Sequence, residues 1–541
     1  MTAAESAAYA GHAAPGWTLE GMASGAKLLG NMGAVHRKVS TGSREAQAYF
    51  DQGLALTWGF NHDEAARSFA KAGALDPACA ICYWGVAYTL GPNYNMPMLP
   101  ERAHAAWEAL GRAESASASA TPTERALIGA LGKRYAGPEY VAPAAMQAYS
   151  QAYSAAMKEV AASYPDDDDV QALYAESIMN LNPWKLWTAQ GEAAPGTLEA
   201  VHTLETVLAR APTHAGANHY YIHAVEASTE PGRALPAARR LGTLVPAAGH
   251  LVHMPAHIYQ RVGLYADASE ANRRAIEVDT AYVEKLTPLG YYPFYIGHNH
   301  GFLAYSASME GRSEEAITAA QKAAATIPKD IVCGMPGMDF FLSEPLFVQV
   351  RFGRWEDILN APQSDPKYPV LGALQQHARG MALAATGHPS KAADAAAMIR
   401  QVARTLPEDL MTGLNSGKKV LELAALTVEA RAADATQAPN AAELWQAAVE
   451  LEDGLAYHEP ADWFYPTRHY LGATLLDAGQ PKRAEAVYRE DLKRNPSNGW
   501  ALFGLWKALE AQEKTKEAKA AKAEFDAAFA RADVQISRSA F

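Results

Sequence analysis

A fixed spacing of small and aromatic residues constrains this chain more than any other feature. Gly53, Ala65, Phe69 and Pro77 are matched far downstream by Gly472, Ala484, Tyr488 and Pro496 at the same offsets. Apolar residues recur at three and four, strand-like alternation is rare, and Pro, Gly and Asp punctuate the chain at helix-hairpin spacing. Small residues at the first two sites let the helices of one hairpin close on each other. The proline stops the second helix before the next hairpin begins. The chain, 541 residues long, therefore reads as a long array of helix pairs, not as one core.

Counted from Ala46, Gly53 is position 8, Ala65 position 20, Phe69 position 24, Ala72 position 27 and Pro77 position 32. This pattern resembles the tetratricopeptide (TPR) repeat, a helix pair of 34 residues. The register returns from Ala215, Gly249, Gly297, Ala373 and Tyr465. The resemblance implies an all-α superhelix, an α-solenoid, with a concave groove. It covers most of 46–530 as one continuous array, with histidine-rich units at 215–310, an N-terminal arm at 1–45 and a tail at 531–541. The period is broken at 91–100, 182–196, 281–296 and 331–345 by aromatic- and proline-rich insertions, which read as packed covers. Thr121-x-x-Glu124 before an apolar run reads as a capping box, and Asp166 to Asp169 as the acidic start of a helix.

The histidines carry the functional signal. Eight of the seventeen lie between residues 214 and 300, about a sixth of the chain. His219 and His253 are both position 5 of their units, and His223 and His257 are both position 9. The spacing i, i+4 puts each pair on one helix face. Packed helices lie about 8–10 Å apart, so imidazoles from two of them can reach one ion. His250 and His298, each at position 2, are further ligand candidates. Glu226, one turn beyond His223, reads as ligand, general base or orienting partner, and Glu176 as a second carboxylate in line with the position-9 histidines. In TPR arrays, positions 2, 5, 9 and 12 line the inner groove, so the resemblance implies that these side chains face it. Imidazole-rich ligation suits zinc, copper or iron and disfavours magnesium or calcium. Zinc would point to hydrolysis, copper or iron to redox and oxygen chemistry. Neighbouring tyrosines lean toward the latter.

The leading expectation is a metal-dependent enzyme, an oxidoreductase or hydrolase acting on a small organic substrate. The alternatives are a non-enzymatic TPR scaffold gripping a peptide or protein partner, and a metal storage or delivery protein. His377 and His469 repeat position 5 farther along and are weaker candidates, while His62 reads as a turn or capping residue. Cys79 and Cys82 form a lone CxxC and read as buried structural cysteines. With only three cysteines and no leader-like start, a cytoplasmic setting is expected, with a trimmed secreted form as the alternative. A net charge of −12 without a basic block argues against nucleic acid, and no apolar run approaches a membrane span. The phrases FNHDEA, HYYIHAVEAS and HLVHMPAHIY also resemble a group of large bacterial TPR-containing proteins, which implies architecture alone.

Overall fold

The computed structural model describes residues 17–286 and 291–541. It is all-α. Apart from two isolated bridges, the described residues pair as strands only at Met411–Thr412 and Asn415–Ser416. The chain divides into two compact units. The first takes the described residues up to Ile258 together with Arg274–Tyr292, and the second Tyr259–Arg273 with Pro293–Phe541.

In the first unit the helices run α1 (Leu19–Gly25), α2 (Arg44–Trp58), α3 (His62–Leu75), α4 (Ala80–Leu90), α5 (Ala103–Ser115), α6 (Pro122–Leu131), α7 (Pro143–Ser163), α8 (Asp168–Met179), α9 (Thr197–Arg210), α10 (Ala215–Val225), α11 (Leu235–Leu244) and α12 (Gly249–His253). Six of them begin where a side chain accepts from one of the free amides of the first turn. Ser43 caps α2, Asp167 caps α8, and Thr121 and Glu124 close a reciprocal capping box on α6. Asn61, not His62, caps α3, which corrects the expected role of that histidine: it is the first helical residue and is buried.

The small–aromatic spacing has a direct structural cause. The Phe69 ring is wedged between Gly53 and Gly85, where an added Cβ would come within 2.7 and 2.5 Å of it. In the second unit the Tyr488 ring fills the same role between Gly472 and Gly504. The helices close on these rings because neither facing residue carries a side chain. The repeat is thus TPR-like in packing as well as in spacing.

Within the expected arm, residues 17–45 carry α1 and pack on the hairpins. Gln52 holds the Leu29 amide at 2.8 Å, and Glu124 holds the Ser40 amide at 2.9 Å. Cys79 and Cys82 are both fully buried, as expected, but they are joined in a disulfide and are not free thiols. The turn into α4 sets their Cα atoms 5.4 Å apart, within disulfide reach. Among the described residues no helix is long and apolar enough to cross a membrane.

Candidate metal centre

Helix α10 is capped by His214, whose Nδ1 accepts the Ala217 amide at 3.0 Å, while Nε2 meets Asp169 of α8 at 3.1 Å. That start fixes the face on which His219 and His223 follow one turn apart, with ring centroids 4.8 Å from each other. From α12, His250 places its ring 5.0 Å from His219 and 6.2 Å from His223. Potential ligand atoms of these three lie within 4.8 Å of one another. All three residues are at most 3% exposed.

Pro255 interrupts the helix after His253, and α13 (Pro255–Arg261) continues it. The break leaves His253 and His257 facing each other, Nε2 to Nε2 at 2.8 Å. Glu226 ties α10 to α13. Its carboxylate accepts from His223 Nδ1 at 2.8 Å and from His257 Nδ1 at 2.7 Å. His223, Glu226 and His257 thereby form a second group with potential ligand atoms within 4.8 Å.

These partners decide where the protons sit. A carbonyl only accepts, so His219 Nδ1 donates to the Trp58 carbonyl oxygen at 2.5 Å. His223 Nδ1 donates to Glu226. In both rings Nε2 therefore carries the lone pair, and both Nε2 atoms are buried without a hydrogen-bond partner. Burial pushes His219, His223 and His250 below the ordinary imidazole range, and neighbouring imidazoles add to the effect at His219 and His250. Glu226 opposes it at His223. Neutral imidazole with an outward lone pair is the metal-binding form. Glu226 itself is driven down to about 2: burial works against its charge, but His223 and His257 outweigh it.

The insertions cover this cluster. Tyr94, from 91–100, and Trp184, from 182–196, bring their rings to 5.2 and 5.7 Å from His223. Trp187 ties the second insertion down by donating to the Ala224 carbonyl at 2.8 Å. Phe60 packs against His219 at 4.6 Å, His223 at 5.8 Å and His250 at 6.0 Å. Phe60 and Trp184 hold positive φ angles of 52° and 60°. Side chains of this size seldom accept that conformation, and its cost is of the order of 1 kcal/mol each. Tyr291, from the insertion at 281–296, anchors the Phe60 carbonyl at 2.9 Å.

Of the other expected residues, Glu176 has partners away from the cluster. Glu176 lies in the first unit but accepts from the Tyr88 hydroxyl at 2.9 Å and from Asn180 at 2.5 Å. It joins none of the three-ligand groups found among the described residues. His298 belongs to the second unit, where its ring meets Phe302 at 4.8 Å. His377 and His469 also belong to the second unit, each bound by hydrogen bonds at both ring nitrogens. The Trp58 carbonyl and the Phe60 ring had no signal in the sequence. The first is backbone, and the second is one apolar residue among many.

No protein-family model and no curated protein matches the sequence. Several solved structures are similar to it. Human IFIT1, solved as a dimer with m7Gppp-AAAA, is 13% identical, with 90% of this chain and 91% of that one covered and a TM-score of 0.33. Yeast Tom70 is 13% identical, covering 88% and 96%, with a TM-score of 0.27. The TPR domain of P58(IPK) is 12% identical, covering 87% and 99%, with a TM-score of 0.22. The likeness is one of repeated helices and extends to no ligand.

Proposed function

We propose that the chain is a non-enzymatic TPR-like binding scaffold whose first unit is built around a buried transition-metal ion. The observation that carries the metal is the pair of buried, unpartnered Nε2 atoms on His219 and His223, each aimed by a hydrogen bond at its own Nδ1. Leaving two such acceptors unsatisfied costs about 1–3 kcal/mol each. With His250 they form a three-nitrogen set suited to zinc, copper or iron. A tetrahedral ion with ligands at about 2.1 Å would hold them about 3.4 Å apart, so the rings need to close by no more than about 1.5 Å. Glu226, with both oxygens engaged by imidazoles, orients His223 and His257 instead of acting as a free base. Burial of every ligand under Phe60, Tyr94 and Trp184 favours a metal that stays over one that is delivered or turned over with substrate. Arrays of helix hairpins offer extended surfaces to peptide and protein partners, which supports the scaffold half of the reading.

A metal-dependent enzyme is the second reading. Three protein nitrogens leave a coordination position for water or substrate, which favours it. Metal analysis by mass spectrometry on protein purified without a histidine tag tests the proposal. About one ion per chain is expected, lost in His223→Ala with the helical circular dichroism retained. No metal in the native protein, and no uptake of zinc, copper or iron on reconstitution, would leave only a hydrogen-bonded histidine core.

A further inference from the structure

The first unit buries a second polar group that shares no residue with the histidine centre. Arg134 closes the short turn Gly132–Arg134 and is 1% exposed. Its guanidinium lies over the rings of Tyr88 at 5.0 Å, Tyr153 at 4.9 Å and Tyr135 at 5.8 Å. It donates to the Tyr88 carbonyl at 2.6 Å and to the Pro92 carbonyl at 3.4 Å. Its Nε–H has no partner, and neither has the hydroxyl of Tyr153, which is 2% exposed.

Buried charges are normally paired. Arg134 forms no ion pair among the described residues. Glu176 is a carboxylate whose field acts on it. The Glu176 oxygens are taken by Tyr88 and Asn180, and burial raises its carboxyl toward the neutral form against the pull of Arg134. The cation therefore has no ion-pair contact among the described residues, and the Arg134 Nε–H and the Tyr153 hydroxyl each lack an acceptor.

We propose that Arg134 and Tyr153 bind the carboxylate of a small organic acid. A carboxylate supplies one negative charge for one guanidinium, and two oxygens for the Nε–H and the phenol. A phosphate dianion would leave an unmatched charge in a buried site. The aromatic walls suit an apolar remainder.

Calorimetric titration of the full chain with acetate, benzoate and phosphate, against chloride at fixed ionic strength, tests this. Saturable binding of acetate and tighter binding of benzoate are expected, with phosphate failing to compete. Tyr153→Phe keeps the ring over Arg134 and removes only the hydroxyl. It should weaken benzoate about tenfold or more while leaving the unfolding midpoint unchanged. Absence of saturable carboxylate binding, phosphate binding in its place, or unaltered benzoate affinity in Tyr153→Phe would each overturn the assignment. Should Tyr153→Phe fail to fold, the competition between benzoate and phosphate on the native chain decides alone. Because no ligand is shared with the histidine centre, metal content reports on that centre separately.

Discussion

Four histidines occupy position 5 of their hairpins, two in each unit, and their surroundings divide them. In the second unit His377 donates to the Ala424 carbonyl and accepts from the Tyr465 hydroxyl at 2.8 Å. His469 donates to Asp491 at 2.9 Å and accepts from Arg351 at 2.8 Å. Every lone pair is spent, so these rings act as polar struts. In the first unit His219 has its Nδ1 on a carbonyl and nothing on Nε2. His253 sets its Nε2 against that of another histidine. The repeat position is the same. The neighbours arriving from other helices decide whether imidazole is a brace or an available donor to a metal.

The largest expected effect contrasts His469→Ala with His223→Ala. Removing His469 leaves Asp491 and Arg351 buried without their shared partner. The cost expected is about 3–5 kcal/mol of unfolding free energy, with metal content untouched. His223→Ala should do the reverse in kind, abolishing metal while sparing the Arg351 contacts. Denaturant unfolding and metal analysis on both variants check it. Loss of metal from His469→Ala would erase the distinction between the two units' histidines.

The next effect depends on pH. Burial lowers His377 from the ordinary 6.5 to about 4. Its ring is neutral when folded, so the stability it contributes is fully present above about 6.5. That stability is lost as pH falls from about 6.5 through about 4, where the unfolded chain takes up the proton first. The shift corresponds to about 3 kcal/mol. Native His377 should therefore make unfolding more acid-sensitive than His377→Gln, by about that amount between pH 7.5 and 4. Equal acid sensitivity would mean that the ring accepts its proton without losing Tyr465 or the carbonyl.

Legibility in the sequence follows the range of the interactions. The close helix approach at Gly53 and Gly472 was readable because it rests on fixed offsets within one repeat, whereas Gly85 and Gly504, the far walls of the Phe69 and Tyr488 rings, lie in the next hairpin. The facing of His219, His223, His253 and His257 was readable for the same reason. Capping by Thr121 and Asp167 is local as well. What stayed hidden comes from elsewhere in the chain. Glu176 sits at the expected helix position, but Tyr88 claims its carboxylate. His62 has a helix-start address, yet Asn93 takes its Nδ1 at 3.1 Å in the interior. His377 and His469 share the histidine register, and only the fold supplies Tyr465, Arg351 and Asp491. A repeat register assigns an address on a helix; it does not say which side chains cross over to it.

The smallest effect is the one that separates an orienting carboxylate from a ligand. Glu226 accepts from two imidazoles at once, so Glu226→Gln keeps the size of the side chain but leaves one carbonyl oxygen to serve two N–H donors. The amide nitrogen then faces an imidazole N–H, and one ring must turn or change tautomer. Partners that fix the ring of a ligating histidine typically contribute 10–100-fold in metal affinity. Glu226→Gln should therefore weaken metal binding by about 1.4–2.7 kcal/mol while still loading at high metal concentration. Competition against a chelator of known affinity measures it. Complete loss of binding would make Glu226 a direct ligand and move the metal from the His219, His223 and His250 set to the His223, Glu226 and His257 set.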